Sequence, residues 1–428
     1  MFSKEILKAL LLEQRRRIVR LQGENFVRRE KLQELERFIN IPQTIILTGV
    51  RRCGKSVLLL ELISAFYDEN YYFVNFEDER LSTFRIEDFS LLHETFIELF
   101  GEQKTFFLDE IQNIQGWERW VRRMYEDNYK FFITGSNAKL LSRELATTLT
   151  GRHIQLTLYP FSFREFIEPK KILSKKEDLY LPEKKALVSK QFSEFLETGG
   201  FPEYVRDKRI EILQEYFNDI LYNDVAKRYS LRNIQQLKEV ALYSITNTGN
   251  LTSYRKLTQQ TSIKSVTTTI KYVEYLENAY LLITIPYFSY SLKKQKSNPF
   301  KTYAIDQGMR NAISFKFSKD VGRTYENIVA IHLKRNQKEV YYLKNASGEE
   351  VDFVIKKGMY IEQLIQVCYD LLEEKTKARE IKSLVHASAE LKCNKLLVLT
   401  ENYEGEEKVE NKKIKFIPLW KWLLQQAG

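Results

Sequence analysis

Cysteine and histidine are scarce in this chain of 428 residues, and no segment has the composition of a linker. The three cysteines, Cys53, Cys368 and Cys393, are odd in number and far apart. That argues against a disulfide framework and makes a reducing cytoplasm the expected setting. The four histidines, His93, His153, His332 and His386, form no HExxH pair and no Cys/His ligand spacing, which argues against a zinc site. No apolar run approaches the ~18 residues of a membrane-spanning helix, and LLLELISAF (58–66) is interrupted by Glu61. The N-terminal MFSKEILKALLLEQRRR lacks the basic–apolar–cleavage order of a secretory signal, so no membrane partner is expected. There is no internal repeat and no Gly/Ser- or Pro-rich linker, so domain boundaries must come from changes of pattern.

What is present is globular. Hydrophobic residues make up 43% and charged residues 29%, and the length suits two or three domains with their own cores. Lys and Arg number 67 against 57 Asp and Glu, a net charge of +10 that permits nucleic-acid binding without requiring it.

Residues 1–40 read as an amphipathic helical segment, with Ile6, Leu7, Leu10 and Leu11 at helical spacing and a basic cluster at Arg15–Arg17. From residue 44 the pattern alternates. Apolar runs at 44–50, 71–76, 105–110, 129–135 and 153–159 are separated by helical stretches at 55–68, 87–100, 117–127 and 138–149. Such alternation predicts an α/β domain over 41–165, a parallel sheet covered on both faces. Residues 166–230 read as a helical lid, and 316–428 as mixed strand and helix.

Gly49-Val50-Arg51-Arg52-Cys53-Gly54-Lys55-Ser56, with Val57 beginning the next turn, fits G-x-x-x-x-G-K-[ST] between an apolar strand and a helix. The glycines let backbone N–H groups face phosphate oxygens, and the helix N-terminus adds its positive end. Lys55 reaches the terminal phosphates of ATP, and the Ser56 hydroxyl can ligate Mg²⁺. The run Phe106-Phe107-Leu108-Asp109-Glu110 supplies the acids: Asp109 for the metal, Glu110 as general base toward water. The following strand ends Ile133-Thr134-Gly135-Ser136-Asn137, where Asn137 or Ser136 could sense the γ-phosphate or cap the next helix. Arg152, at a helix–strand junction, is the candidate arginine for a neighbouring subunit's site, with Arg143 and Arg164 as alternatives; its structural alternative is a helix C-cap.

With LTGR, PFSFREF, TGGFPEY (198–204), EVDFVI (350–355) and IQVCYDL (365–371), these motifs make the chain resemble the AAA+-type ATP-binding proteins of archaea and bacteria that carry an added C-terminal domain. The resemblance implies ATP binding and hydrolysis in a homo-oligomer, with a hexameric ring favoured.

Residues 231–315 read as a winged helix-turn-helix. Its third helix, 265–279, would offer Ser265, Thr267, Thr268 and Lys271 to a DNA groove, with Val266, Ile270, Val273 and Leu276 facing inward. Wing strands are predicted at 281–288 and 301–307, with Lys293, Lys294 and Lys296 between them for phosphates. Residues 316–428 resemble a restriction-nuclease-like α+β domain. There Glu326, Asp352 and Gln366 stand at the metal-site positions, but Gln366-Val367-Cys368 replaces the acid-x-Lys element, so catalysis is expected to be lost. The expected function is an Mg²⁺-dependent ATPase coupled to DNA binding or remodelling, branched DNA included. The alternatives are an ATP-driven oligomerising switch that binds proteins, and an ATP-gated, metal-dependent nuclease.

Overall fold

In the computed structural model the described residues are 2–425, apart from 24–25, 137–148, 174, 315–319, 346 and 372. The chain divides into two compact units, Met1–Tyr159 and Pro160–Gly428.

The first unit is built on β1 (Thr44–Thr48), β2 (Tyr72–Asn75), β3 (Thr105–Asp109), β4 (Lys130–Gly135) and β5 (His153–Thr157). All pairings are parallel and the order is β2-β3-β4-β1-β5. All five residues of β1 are buried, as expected of a strand covered on both faces. Helices α1 (Lys4–Gln22), α2 (Lys31–Glu36), α3 (Lys55–Phe66), α4 (Phe89–Phe100) and α5 (Trp117–Glu126) accompany the sheet. Ser3 caps α1 by accepting from the Ile6 N–H. Leu7, Leu10 and Leu11 of that helix enter the same core as Phe106 and Phe131. Each such leucine is worth roughly 2 kcal/mol of burial. Aromatic rings tie neighbouring strands together: Phe106 stacks on Phe131 at 5.1 Å on one face, and Phe107 on Phe132 at 5.0 Å on the other. The predicted helix at 138–149 falls almost wholly outside the described residues.

The order of the sheet places the site. β4 lies between β1, which leads into the glycine loop, and β3, which carries the acids. Residues at the carboxyl end of β4 therefore stand between loop and acids.

The second unit begins with α6 (Phe163–Ile167), α7 (Pro182–Thr198), α8 (Pro202–Asp207) and α9 (Ile210–Asp219), which runs into a π-helix at Ile220–Lys227. Next come α10 (Ile234–Thr246), β6 (Leu251–Thr252), α11 (Tyr254–Gln259), α12 (Val266–Asn278), β7 (Leu282–Pro286), α13 (Leu292–Ser297) and β8 (Phe300–Ala304). The three strands form a small antiparallel sheet in the order β6-β8-β7. Helices α14 (Gln307–Ile313) and α15 (Val321–Arg335) lead into a six-stranded sheet. Its strands are β9 (Glu339–Lys344), β10 (Glu350–Lys357), β11 (Tyr360–Val367), β12 (Leu396–Thr400), β13 (Gly405–Val409) and β14 (Lys412–Pro418), with α16 (Glu374–Leu391) and α17 (Leu419–Gln425). The sheet order is β13-β14-β12-β11-β10-β9.

Two details of the middle module differ from expectation. Val266 and Ile270 are 37% and 40% exposed, so they face outward. The buried stripe of α12 is Thr269, Tyr272, Val273 and Leu276. The Thr269 hydroxyl is buried against that of Thr258 at 2.8 Å, and this satisfied polar pair turns the helix away from the face its apolar spacing suggests. The lysines between the strands lie on the short helix α13, capped by Ser291, rather than on an extended wing.

Candidate functional site: a phosphate-binding loop facing an acidic strand end

The loop between β1 and α3 is shaped by its glycines. Gly49 has φ +150°, and a Cβ there would lie 2.1 Å from the Leu158 carbonyl oxygen. Gly54 has φ +101° and caps α3. Any larger residue at either place would strain the turn. Buried Arg29 braces the loop from behind, donating to the Cys53 carbonyl at 2.7 Å and the Tyr159 carbonyl at 2.6 Å. Cys53 is buried in the loop with its Sγ 3.4 Å from the Leu158 carbonyl, and burial pushes its thiol up, which makes it inert. Arg51 pairs with Glu77 at 2.5 Å.

Lys55 is only 4% exposed. Its ammonium lies in the hollow of the loop, 3.3 Å from the Gly49 carbonyl and 3.4 Å from that of Val50. It is also 3.3 Å from Glu110 Oε1. The Ser56 side chain hydrogen-bonds the Asp109 carboxylate, which brings a hydroxyl and a carboxylate together at the head of α3. Two hard oxygen ligands side by side fit Mg²⁺.

Asp109 and Glu110 end β3 in different electrostatic settings. Burial and the neighbouring Glu110 push Asp109 up to about 6. Burial also works against Glu110, but the Lys55 ammonium and the Gln112 amide outweigh it and hold that carboxyl below its ordinary value. Gln112 Nε2 donates to Glu110 Oε2 at 2.5 Å. Glu110 itself adopts a left-handed backbone, φ +52°. That strain is fixed by Thr134 on β4, whose Oγ1 accepts from the Glu110 N–H at 2.9 Å and donates to Asp109 Oδ1 at 2.5 Å.

Thr134, Gln112 and Arg29 were not among the residues read from the sequence. A buried hydroxyl one residue before the end of a strand is a signal only once that strand is known to adjoin Asp109. The predicted sensor Asn137 lies outside the described residues, as does Arg143. Ser136 is buried, two residues past Thr134. Arg152 pairs with Glu126 at 3.1 Å, just before His153, which registers with Thr44 at the start of β1. The loop follows the other end of β1, four residues on, or about 13 Å at ~3.3 Å per residue. Arg152 is therefore not part of its own chain's site. Arg164 donates to the Leu424 carbonyl.

The candidate groove residues Thr267 and Lys271 are exposed on α12, as is Ser265 just before it, and Thr268 is half-buried. Lys293, Lys294 and Lys296 are exposed on α13. Glu326 of α15 and Asp352 of β10 both pair with a lysine. Lys301 of β8 is 1% exposed and lies 2.7 Å from Glu326 Oε1, 2.7 Å from Glu350 Oε1 and 3.0 Å from Asp352 Oδ1. Gln366 accepts from the Asp352 N–H at 3.2 Å and donates to Glu380. Among the described residues no group of three or more acid, His or Cys side chains is spaced to hold a metal ion. Nor is any described helix long and apolar enough to cross a membrane.

Comparison with known proteins agrees with this geometry. A family model described as an AAA domain matches residues 42–167. Two domains of unknown function, DUF8612 and DUF4143, match 189–320 and 321–422. The uncharacterised protein MJ1544 of Methanocaldococcus jannaschii is 38% identical over 405 residues, covering 90% of this chain and 89% of the relative. The chain belongs to the same family as MJ1544, and its residues 42–167 match the AAA domain. An uncharacterised protein of Haemophilus influenzae is 32% identical over 412 residues, covering 93% of this chain and 98% of its own. Among solved structures, AMPPCP-bound DnaA from Aquifex aeolicus is 13% identical with a TM-score of 0.25, covering 58% of this chain and 86% of that one, a likeness too slight to carry weight. Within this family, residues 42–167 form a P-loop, ATP-binding core of the AAA type.

Proposed function

We propose that this AAA-domain protein is an Mg²⁺-dependent ATPase whose nucleotide cycle is coupled to DNA. The observation that carries the reading is the convergence of Lys55, Ser56, Asp109 and Glu110 at the head of α3. The phosphates would lie against the loop N–H groups and the positive end of α3. Lys55 would exchange the carbonyls of Gly49 and Val50 for the β- and γ-phosphate oxygens. Ser56 and Asp109 would hold Mg²⁺, which when bound neutralises phosphate charge. Glu110, kept ionised by Lys55, would take the proton of the attacking water as its oxygen bonds the γ-phosphorus and ADP departs. Arg152, distant from its own loop, is read as reaching a neighbour's site in a homo-oligomer, with a hexameric ring favoured.

Residues 231–315 are read as a winged helix, a reading supported by the successive helices α10, α11 and α12 and a small sheet ordered β6-β8-β7. Its exposed Arg255, Lys256, Lys264 and Lys271, with the lysines of α13, suit a phosphate backbone. Exposed Val266 and Ile270 beside them favour a second reading, an ATP-driven switch docking on a protein. The nuclease reading has the least support, because Gln366 and Cys368 replace the catalytic pair and Lys301 fills the acidic centre.

Gel shifts with Glu110→Gln protein, with and without ATP, on duplex, single-stranded and branched DNA at about 100 mM salt test the coupling. Binding that responds to ATP supports it. Absence of binding to all three refutes the DNA role and leaves the protein partner. For the ATPase itself, Lys55→Ala should abolish nucleotide binding while Glu110→Gln binds without turnover.

A further inference from the structure

The acidic centre of the C-terminal sheet is filled by a residue from another sheet. Glu326 from α15 and Glu350 and Asp352 from β10 converge on one point, and the Lys301 ammonium of β8 sits there, 2.7, 2.7 and 3.0 Å from their oxygens. Lys301 is closed in, while Glu350 at the rim keeps 27% of its side chain exposed. The Tyr303 hydroxyl donates to Glu326 Oε1 at 2.6 Å, and the Val367 N–H donates to Asp352 Oδ2 at 3.0 Å. Gly249 packs so closely that a Cβ there would lie 2.8 Å from Glu326 Oε2. Three carboxylates this close repel one another unless a cation or protons neutralise them. A lysine is nearly always exposed, and a fully buried one is held by such pairing.

We propose that this acidic centre is the socket of Lys301, and that the ammonium and a divalent cation exclude one another from it. Oxygen–metal distances of about 2.3–2.6 Å for Ca²⁺ are only a few tenths of an ångström shorter than those around Nζ. The carboxylates need only contract slightly to exchange one occupant for the other. The socket joins the β6-β8-β7 sheet to the six-stranded sheet through one buried charge.

Mn²⁺ tests this without reference to nucleotide or DNA. Free Mn²⁺ is titrated by electron paramagnetic resonance against the full chain, nucleotide-free, as wild type, Lys301→Met, and Lys301→Met with Asp352→Asn. If Lys301→Met folds, judged by circular dichroism, it should gain one Mn²⁺ site at least tenfold tighter than any wild-type site Asp352 contributes to, and the double variant should lose it. A folded Lys301→Met with wild-type uptake overturns the proposal, as does a double variant that keeps the gained site. If Lys301→Met does not fold, millimolar Mn²⁺ should restore folding where NaCl of equal ionic strength does not. Failure of Mn²⁺ to restore it overturns the proposal equally.

Discussion

Replacing Thr134 by valine keeps the shape of a buried side chain and removes one hydroxyl. Two hydrogen bonds go with it, from the Glu110 N–H at 2.9 Å and to Asp109 Oδ1 at 2.5 Å. The stranded backbone N–H costs about 1–3 kcal/mol. The Asp109 share is capped. Burial and Glu110 already push its carboxyl up to about 6, so taking up a proton at pH 7 costs only on the order of 1 kcal/mol. The sum is a loss of about 2–4 kcal/mol, large against the ~5–15 kcal/mol of a typical domain. Urea unfolding at pH 7, followed through the buried Trp117 and Trp120, measures it. The same hydrogen bond favours the Asp109 carboxylate, so its loss should move the acidic limb of Mg²⁺-supported ATP hydrolysis to higher pH. Thr134→Ser should restore both. A stability change below about 0.5 kcal/mol would refute the satisfaction argument, since an ordinary surface substitution does as much. A destabilised variant with an unmoved pH limb would leave Thr134 a structural residue only.

Other consequences follow from the same geometry. Only ionised Asp109 ligates metal, and its carboxyl is pushed up to about 6, so Mg²⁺ affinity should be flat above pH 7 and fall up to tenfold per unit below 6, checked by calorimetry from pH 5 to 8. Gly49→Ala places a Cβ 2.1 Å from a carbonyl at φ +150°; nucleotide binding should be lost and the unfolding temperature of the first unit should drop, by calorimetric scan. Arg152→Ala should bind ATP without turning it over, and mixing it with Lys55→Ala should recover part of the activity; no recovery would argue for sites complete within one chain.

The core was legible because its signals are local. A phosphate loop needs glycine at fixed positions and a strand before it, and 44–56 carry both. Buried parallel strands advertise themselves as apolar runs, and 105–110 read correctly as a strand ending in acids. The orientation of α12 was misread because its buried face includes Thr269. Spacing alone ranks a threonine as solvent-facing, and only its hydroxyl partner on Thr258 overturns that. The acidic centre was read from Glu326, Asp352 and Gln366, with no hint of Lys301, which is 25 residues from Glu326 in sequence.

The sequence by itself determined the chemistry the loop can offer: glycines that admit phosphate, a lysine, a hydroxyl and a pair of acids at strand ends. Tertiary structure decided which side chains meet. It set β4 between loop and acids so that Thr134 binds both Asp109 and Glu110, and it sent Lys301 from one sheet into the carboxylates of another. The physical reason is range. Turn and strand preferences act over a few residues, whereas the pairing of a buried charge or hydroxyl depends on chain segments that only the packed fold brings together.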